Sequence, residues 1–302
     1  MSWRPNRAVQ LVVGSKRGGA NDVLARVIQR TIESTTGVQI EVVNLPGRGQ
    51  ALTWERLREC PADGHTIGIA SNMLVSNYLS GKSTVGPTDF TSIALLVDEY
   101  IVLGVQPCEP ALDWSGFVES VQRRHSPLET GFVGKPGNAR HLAVTRALEA
   151  FHLDKTAVTK VFENEDAALG ALASDVIQLY ADTAAAIARL AYSQQCHPIA
   201  VSSDRPLPGP FQRTVCLKEV GVRHPFVAWR GIIGPPGLLQ EAVDFWEGTV
   251  RRLAGCPEWT RLLDEHFWGS HFLDSASFGT FLQHAQASCN ILEALQKQQR
   301  KR

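Results

Sequence analysis

The sequence lacks the features that would mark a membrane, nucleic-acid or metal-binding protein. No apolar run approaches the roughly 18 residues needed to cross a bilayer. Thirty basic residues balance thirty acidic ones, so the formal net charge is zero, whereas nucleic-acid and membrane-surface proteins normally carry a basic excess. The nine histidines and six cysteines form no H-E-x-x-H or C-x-x-C pair. We therefore expect no metal site, no redox motif, no cofactor and no nucleic-acid partner.

Motifs of common enzyme classes are missing as well. Without a G-x-S-x-G elbow, a serine hydrolase has no nucleophile. The segment Gly81-Lys82-Ser83 resembles the end of a phosphate-binding P-loop, but the first glycine of that motif falls on Ser76. We therefore expect a protein that is not an enzyme. The cysteines lie far apart and are expected to be buried free thiols, although a Cys196–Cys216 bridge stays open for an oxidising compartment.

The chain is long enough for two domains. Its 302 residues, 44% of them hydrophobic, exceed the usual size of a single domain and can bury a substantial core. It opens with an apolar strand ending at Val13, a small and basic turn over Gly14–Asp22, and a helix with apolar residues at helical spacing. Asn21 or Asp22 can cap that helix.

This opening turn has two readings. Adjacent glycines allow close approach to a ligand, and a strand that leads into a helix N-terminus makes an anion site to which Lys16 and Arg17 add positive charge. A Gly-rich turn can equally serve packing alone. Strands are also predicted over 38–43 and 66–70, in a β-α-β order that favours a parallel sheet. The turn, the loop 44–50 and Ser71-Asn72 would then share one sheet edge.

The same arrangement recurs later in the chain. A strand over 128–133, a polar turn over 134–138 and a helix over 139–151 repeat the order of strand, Gly-rich turn and helix. Two such units that face each other would form a cleft with anion-binding backbone on both walls. Asp182 follows a further strand, where it could orient the loop through backbone N–H groups or meet an amine or hydroxyl of a ligand.

Two chain crossings are predicted from the apolar strands. The first follows the strand 100–105, and the second lies at the strand 226–233. One lobe would then comprise residues 1–104 and 226–302, and the other residues 105–225. This order of segments resembles the substrate-binding proteins of tripartite tricarboxylate transporters, the TctC or Bug family. The segments that carry the resemblance are Arg4–Arg7, Leu11–Val13, Gly18–Arg26, Asn44–Gly47, Pro61–Thr66, Gly134–Asn138, His141–Ala143, Ala200–Ser203 and Trp229–Gly237.

The resemblance implies a two-lobed α/β fold like that of type II periplasmic binding proteins, a Venus flytrap with a hinge of two crossing segments. It implies a solute-binding protein that captures a small organic acid and delivers it to a membrane permease, and we expect a monomer. By position, the ligand-binding residues would be Ser15, Lys16, Arg17, Gly18, Gly19, Asn21, Ser71, Asn72, Gly134, Lys135, Asn138, His141 and Asp182.

The chain also departs from this family. The family usually has an aromatic residue and two prolines where this chain has Ser15, Lys16 and Arg17, and hydroxyl residues where it has Phe132, Val133 and Lys135. The added charge suggests a ligand with extra negative charge, such as a di- or tricarboxylate or a sulfonated or phosphorylated acid.

The sequence leaves location and some alternatives open. The family carries a secretion signal, which the first residues do not show. The protein would be periplasmic if a signal was removed or lies upstream. It would be cytoplasmic if Met1 is the true start, and then a ligand sensor or carrier. A hydrolase or isomerase in the cleft is a third alternative, although no paired base and nucleophile supports it.

Overall fold

The computed structural model describes the backbone of residues 3–108, 110–154 and 157–299, with side chains up to residue 287. The chain divides into two compact units. Unit 1 comprises residues 1–98, 229–264 and 270–302, and unit 2 comprises residues 99–228 and 265–269. Each unit contains its own six-stranded sheet.

The first part of unit 1 alternates strands and helices. Its elements are β1 (Val9–Val13), α1 (Ala20–Thr36), β2 (Ile40–Asn44), α2 (Ala51–Arg58), β3 (Thr66–Ser71), α3 (Asn72–Leu79) and β4 (Thr91–Glu99). The residues of β1 that face the core are completely buried, and α1 packs the side of Leu24, Ile28 and Ile32 against them. This alternation of buried strands with one-sided helices produces a sheet covered by helices.

Unit 2 follows the same scheme. Its elements are β5 (Ile101–Val105), α4 (Trp114–Gln122), β6 (Leu128–Val133), α5 (Ala139–Ala150), β7 (Ala157–Phe162), α6 (Glu165–Ala173), β8 (Leu179–Thr183), α7 (Ala184–Tyr192), β9 (His197–Val201) and β10 (Val215–Cys216). The chain then continues with β11 (Ala228–Gly234), α8 (Gln240–Leu253), α9 (Pro257–His266), β12 (Trp268–Leu273) and α10 (Ser275–Gln299).

The sheet of unit 1 has the strand order β12-β4-β11-β3-β1-β2. β1 pairs in parallel with β2 on one side and with β3 on the other, whereas β11 is antiparallel to β3. The predicted parallel β-α-β steps are thus confirmed. The carboxyl ends of β1, β2 and β3 lie at one edge, so the segments that follow these three strands are neighbours, as expected from the sequence.

The sheet of unit 2 has the order β10-β9-β5-β8-β6-β7. β6 is parallel to both β7 and β8, and β5 is antiparallel to β8 and β9. Because β5 pairs with these two strands, its residues belong to unit 2, although the sequence placed residues 99–104 in the other lobe. The second division likewise falls at 228/229, beside the expected 225/226.

A short segment near the C-terminus is also grouped with unit 2. Within residues 265–269, Phe267 packs edge-to-face on Phe211 at 5.2 Å between ring centroids, and Trp268 Nε1 donates a hydrogen bond to Glu99 Oε1 at 3.3 Å. These contacts explain why the segment associates with unit 2, which the sequence did not predict.

Cysteines 196 and 216 are buried free thiols, and burial raises the pKa of Cys196 to about 12. Cys60, Cys108 and Cys256 are also free but are not buried, and Cys289 lies outside the described side chains. Over the described ranges, no helix combines the length and apolar character needed to cross a membrane.

Candidate functional site

The opening turn of unit 1 is closed by a carboxylate. Helix α1 begins at Ala20 and Gly19 is its N-cap, so the expectation that Asn21 or Asp22 occupies the capping position is wrong. Both residues lie inside the first helical turn. From there, Asp22 Oδ2 accepts a hydrogen bond from the backbone N–H of Gly18 at 2.9 Å. The carboxylate therefore folds the turn back onto its own helix.

Asp22 also ties the turn to the next strand. Its Oδ1 accepts from Asn44 Nδ2 at 2.9 Å and from Arg26 Nε at 3.2 Å, and Asn44 Nδ2 also donates to the carbonyl oxygen of Ser15 at 2.9 Å. Burial by itself raises the pKa of Asp22, but the Gly18, Asn44 and Arg26 contacts outweigh it and hold the pKa below its usual value. The carboxylate consequently stays charged and fixes the shape of the turn.

A second network of hydrogen-bonded side chains lies at the same sheet edge. Arg230 Nε donates to Asn21 Oδ1 at 2.6 Å, and Gln50 Oε1 accepts from both Asn21 Nδ2 at 2.9 Å and Ser71 Oγ at 3.3 Å. A Cβ on Gly14 would lie 2.6 Å from Gln50 Cβ, so only glycine leaves room for Gln50. Asn21 is thus held by the groups around it.

Arg230 and Gln50 were not among the residues that the sequence suggested. Arg230 is only 7% exposed and lies opposite Ser71 in the pairing of β11 with β3. A charged residue inside the otherwise apolar stretch 226–233 was the signal that could have identified it, because isolated charges are rarely buried without a specific role.

Unit 1 leaves hydrogen-bonding groups unused at this edge. Neither α1 nor α3 has a side-chain cap, since Ser71, the N-cap of α3, directs its hydroxyl to Gln50. Ser15 Oγ and Asn72 Nδ2 are buried and have no hydrogen-bond partner among the described residues. Uncapped helix N-termini carry unsatisfied N–H groups and partial positive charge. The edge of unit 1 is therefore suited to receive an anion.

The predicted cations of the two turns are exposed. Lys16, Arg17 and Gly18 are open to solvent in unit 1, and so are Gly134 and Lys135 in unit 2. The side chains of Lys16, Arg17 and Lys135 form no ion pair with another described residue. Exposed charges interact weakly in water and are screened by salt, so these side chains contribute to the surface potential of each turn.

The turn of unit 2 is closed by neutral groups. Asn138 caps α5, since its Oδ1 accepts from the backbone N–H of His141 at 3.0 Å, and its Nδ2 donates to the carbonyl oxygen of Val133 at 3.0 Å. His141 Nδ1 accepts in turn from the backbone N–H of Gly137 at 3.0 Å. The same local order of strand, turn and helix is thus stabilised here without a carboxylate.

The contacts of His141 define the protonation state and the tautomer of its ring. Its ring stacks on Phe132 at 5.1 Å between centroids with 25° between the planes, and burial lowers its pKa from the ordinary value of 6.5. Because Nδ1 accepts the Gly137 hydrogen bond, the neutral ring carries its proton on Nε2. His141 is therefore a neutral donor at physiological pH.

Both carboxylate oxygens of Asp182 accept hydrogen bonds from protein groups. Its Oδ1 accepts from Arg140 Nε at 2.5 Å and from the backbone N–H of Thr183 at 2.6 Å, and its Oδ2 accepts from Tyr180 Oη at 2.6 Å. Burial and the adjacent Asp182 charge raise the pKa of Tyr180 well above its usual range, so Tyr180 stays a donor. Of the two roles left open for Asp182, these contacts favour orientation of its neighbours.

Arg140 is the second arginine that the sequence did not suggest. Burial alone would lower its pKa, but Asp182 and, more weakly, Glu99 raise the pKa above its ordinary value. Within each unit, the structure brings the suggested residues to one sheet edge: Ser15 to Asn21 with Ser71 and Asn72, and Gly134 to His141 with Asp182. Among the described residues, no cluster of three or more His, Cys, Asp or Glu side chains could hold a metal ion.

Several solved structures share the fold of this chain. A TctC solute-binding protein from Polaromonas superposes with a TM-score of 0.80 at 21% identity, over 94% of this chain and 96% of that one. R. palustris Rpa4515 with adipate gives 0.78 at 22% identity over 95% and 96%. MatC (Rpa3494) from Rhodopseudomonas palustris with bound malate gives 0.71 at 22% identity over 94% and 98%. The fold is the two-lobed α/β fold of periplasmic solute-binding proteins.

The sequence itself assigns the chain to one family within that class. The family model of the tripartite tricarboxylate transporter family receptor, TctC, matches residues 24–296. The chain therefore belongs to the TctC family, which confirms the resemblance found in the sequence.

Proposed function

We propose that this chain is a non-catalytic receptor that binds a small carboxylate anion and delivers it to the membrane permease of a tripartite tricarboxylate-type transporter. The observation that carries this proposal is the edge of unit 1, where two uncapped helix N-termini lie beside Ser15 Oγ and Asn72 Nδ2, buried atoms that have no partner in the described part of the chain. Buried polar groups nearly always have a partner. A bound anion would supply one.

Family membership supports the transport role. The matching model is that of a transporter receptor, and two solved proteins of the same fold hold adipate and malate, both of which are carboxylates. We propose that the chain acts as a monomer in the periplasm. There, a receptor can bind its ligand before the permease does.

The test measures carboxylate binding by isothermal titration calorimetry, with adipate and malate as the probes. We expect both Ser15→Ala and Asn72→Ala to lower the affinity of the wild-type protein for its better ligand about 10-fold or more, because hydrogen bonds to charged groups contribute roughly 1.5–3 kcal/mol. Neither change removes a side-chain hydrogen bond to another described residue of the ligand-free protein. The free energy of unfolding should therefore stay the same or rise.

Ser76→Ala serves as the matched control, because Ser76 also lies on α3 but its hydroxyl donates to the carbonyl oxygen of Asn72 within the helix. We expect this variant to bind like the wild type. The proposal is wrong if neither acid binds the wild-type protein, or if Ser15→Ala and Asn72→Ala bind as tightly as Ser76→Ala. Consumption of a bound acid would instead show an enzyme.

A further inference from the structure

Gln50 holds a backbone conformation that favours glycine. The residue directly precedes α2 and has a φ of 78°, in the left-handed region where a Cβ is crowded by the backbone. Residues in such conformations persist where the surrounding structure fixes them. A glutamine at this place therefore indicates that its side chain contributes a contact that glycine could not make.

The side chain of Gln50 collects two donors on one oxygen. Its Oε1 accepts from Asn21 Nδ2 at 2.9 Å and from Ser71 Oγ at 3.3 Å. Asn21 is held from its other side as well, because its Oδ1 accepts from Arg230 Nε at 2.6 Å. All four residues belong to unit 1. Gln50 Oε1 is thus a fixed acceptor beside the start of α3.

Ser71 has the backbone of a capping residue but does not cap. It is the N-cap of α3, with extended φ and ψ of −146° and 172°. A serine at this position usually accepts a hydrogen bond from the backbone N–H of the second or third helical residue, here Met73 or Leu74. No side-chain hydrogen bond caps α3, since the Ser71 hydroxyl is directed to Gln50 instead.

The other polar N-caps of the described helices α1 to α8 behave differently. Asp113, Asn138, Asn164 and Thr183 all accept a backbone N–H from the first turn of their own helix. Ser71 departs from this pattern, and it is the one of these five with its hydroxyl bonded to Gln50. The acceptor on Gln50 therefore accounts for the missing cap of α3.

The missing cap leaves the first turn of α3 able to receive an anion. Asn72, the first residue of α3, is 8% exposed, and its Nδ2 has no hydrogen-bond partner in the described part of the chain. The N–H groups of the first turn are unsatisfied and carry partial positive charge. A capping Ser71 hydroxyl would occupy one of these N–H groups, and an anion would have to displace it.

We propose that Gln50 is a positioning residue that keeps the N-terminus of α3 open for the ligand by holding the Ser71 hydroxyl away from it. This inference rests on the proposed function, in which the edge of unit 1 receives a carboxylate. Gln50 acts through Ser71 before any ligand is present. The donors of α3 are thereby preorganised, which reduces the cost of binding.

The test combines truncation of Gln50 with truncation of Ser71, and calorimetry with adipate and malate measures the affinity. We expect Gln50→Ala to bind the better acid roughly 5-fold more weakly, the factor that corresponds to breaking a typical serine cap. Ser71→Ala should bind like the wild type. Gln50→Ala/Ser71→Ala should recover the affinity that Gln50→Ala loses, because no hydroxyl is left to close the helix.

Two controls separate this effect from a general loss of structure. Gln29→Ala removes a hydrogen bond from Gln29 Nε2 to the carbonyl oxygen of Ile40 in the same unit and should bind like the wild type. Gln50→Gly suits the positive φ and should lose as much affinity as Gln50→Ala. Asn21 loses its acceptor in both Gln50→Ala and the double variant, so the comparison of these two isolates Ser71.

Hydrogen exchange measured by NMR tests the cap without any ligand. In Gln50→Ala, the N–H of Met73 or Leu74 should exchange about 5-fold more slowly than in the wild type, because a capped amide must first open. This added protection should be absent from Gln50→Ala/Ser71→Ala. The exchange rates therefore report the position of the Ser71 hydroxyl directly.

The outcomes distinguish the two proposals. If neither acid binds the wild-type protein, the proposed function fails, and the exchange rates still decide whether Gln50 holds the Ser71 hydroxyl. If the acid binds but Gln50→Ala keeps the wild-type affinity, or the double variant binds as weakly as Gln50→Ala, the inference is overturned. Unchanged exchange in Gln50→Ala, or an equal loss of affinity in Ser71→Ala or Gln29→Ala, would overturn it as well.

Discussion

The two units build the same local structure with different chemistry. In unit 1, the turn between β1 and α1 is closed by the Asp22 carboxylate, which receives the Gly18 N–H, Asn44 and Arg26. In unit 2, the turn between β6 and α5 is closed by the neutral side chains of Asn138 and His141. A strand, a glycine-rich turn and a helix therefore do not determine which side chains hold the turn.

This difference has a consequence for binding. Because Asp22 folds the first turn from inside the helix, the N-cap position is free to be Gly19, and the helix start remains open. In unit 2, the Asn138 side chain occupies one N–H donor at the helix start, that of His141, and Arg140 stands in the first turn. How a turn is closed thus decides whether backbone or side chain is available for an anion.

The largest effect on stability is expected from Asp22→Asn. One oxygen becomes an amide nitrogen that faces an N–H donor, so at least one hydrogen bond to a buried group is lost and a buried charge network is broken. We expect a loss of about 2–3 kcal/mol in the free energy of unfolding, measured by urea denaturation. The control is Asp274→Asn, because Asp274 accepts the Ser277 N–H at the start of α10 and asparagine caps helices equally well. A loss no larger than that of the control would show that the charge does not hold the turn.

A smaller effect is expected from Asn138→Ala. It removes both the cap on His141 N and the bond to the Val133 carbonyl oxygen. We expect the free energy of unfolding to fall by about 1–2 kcal/mol. Asn164→Ala is the comparison, since Asn164 caps α6 through Ala167 N alone and should cost less. Equal losses in denaturant melts would indicate that the Val133 contact contributes nothing.

The sequence predicted the parts of this comparison that depend on local pattern. Strand β6 was predicted with its observed bounds and α5 to within one residue, because apolar spacing and the Gly-rich turn define them locally. The strand β7 was missed, since it is an edge strand with Val158 and Val161 exposed and shows no clear alternation.

The arginines could not be predicted in the same way. Arg230 meets a partner 209 residues away in the chain and Arg140 meets one 42 residues away, so only the folded sheet shows that either guanidinium stands at the edge. Glycines, caps and strand ends are local signals. The side chains that recognise charge are assembled by tertiary structure, and a single sequence does not record that assembly.

A third prediction concerns pH. Burial lowers the pKa of His141 below its ordinary 6.5, so the unfolded chain binds a proton more readily than the folded one. The free energy of unfolding is therefore not reduced by this group above about pH 6.5, and it falls as the pH decreases from that value through the pKa of His141 in the folded protein. The turn of unit 1 responds only at lower pH, because the pKa of Asp22 lies below its ordinary 3.8.

Urea denaturation of the protein at pH values between about 5 and about 8 measures how the free energy of unfolding depends on His141. The wild-type protein should lose stability toward the acidic end, and His141→Gln should show a shallower slope because it cannot titrate. The exposed His125 provides the control, since His125→Gln should leave the wild-type slope unchanged. Parallel slopes for the wild type and His141→Gln would refute a role for this imidazole.

The smallest effect is expected from the exposed cations of the first turn. Lys16→Gln/Arg17→Gln removes charges that water and salt screen, so adipate affinity should fall by less than about 10-fold. The change should lie mainly in the association rate and should disappear at high salt, as stopped-flow measurements can show. Arg56→Gln/Arg58→Gln, on exposed positions of α2, carries the same change in net charge. If the turn variant lowered adipate affinity far more than the α2 variant at both low and high salt, Lys16 or Arg17 would contact the anion directly rather than act through screened charge.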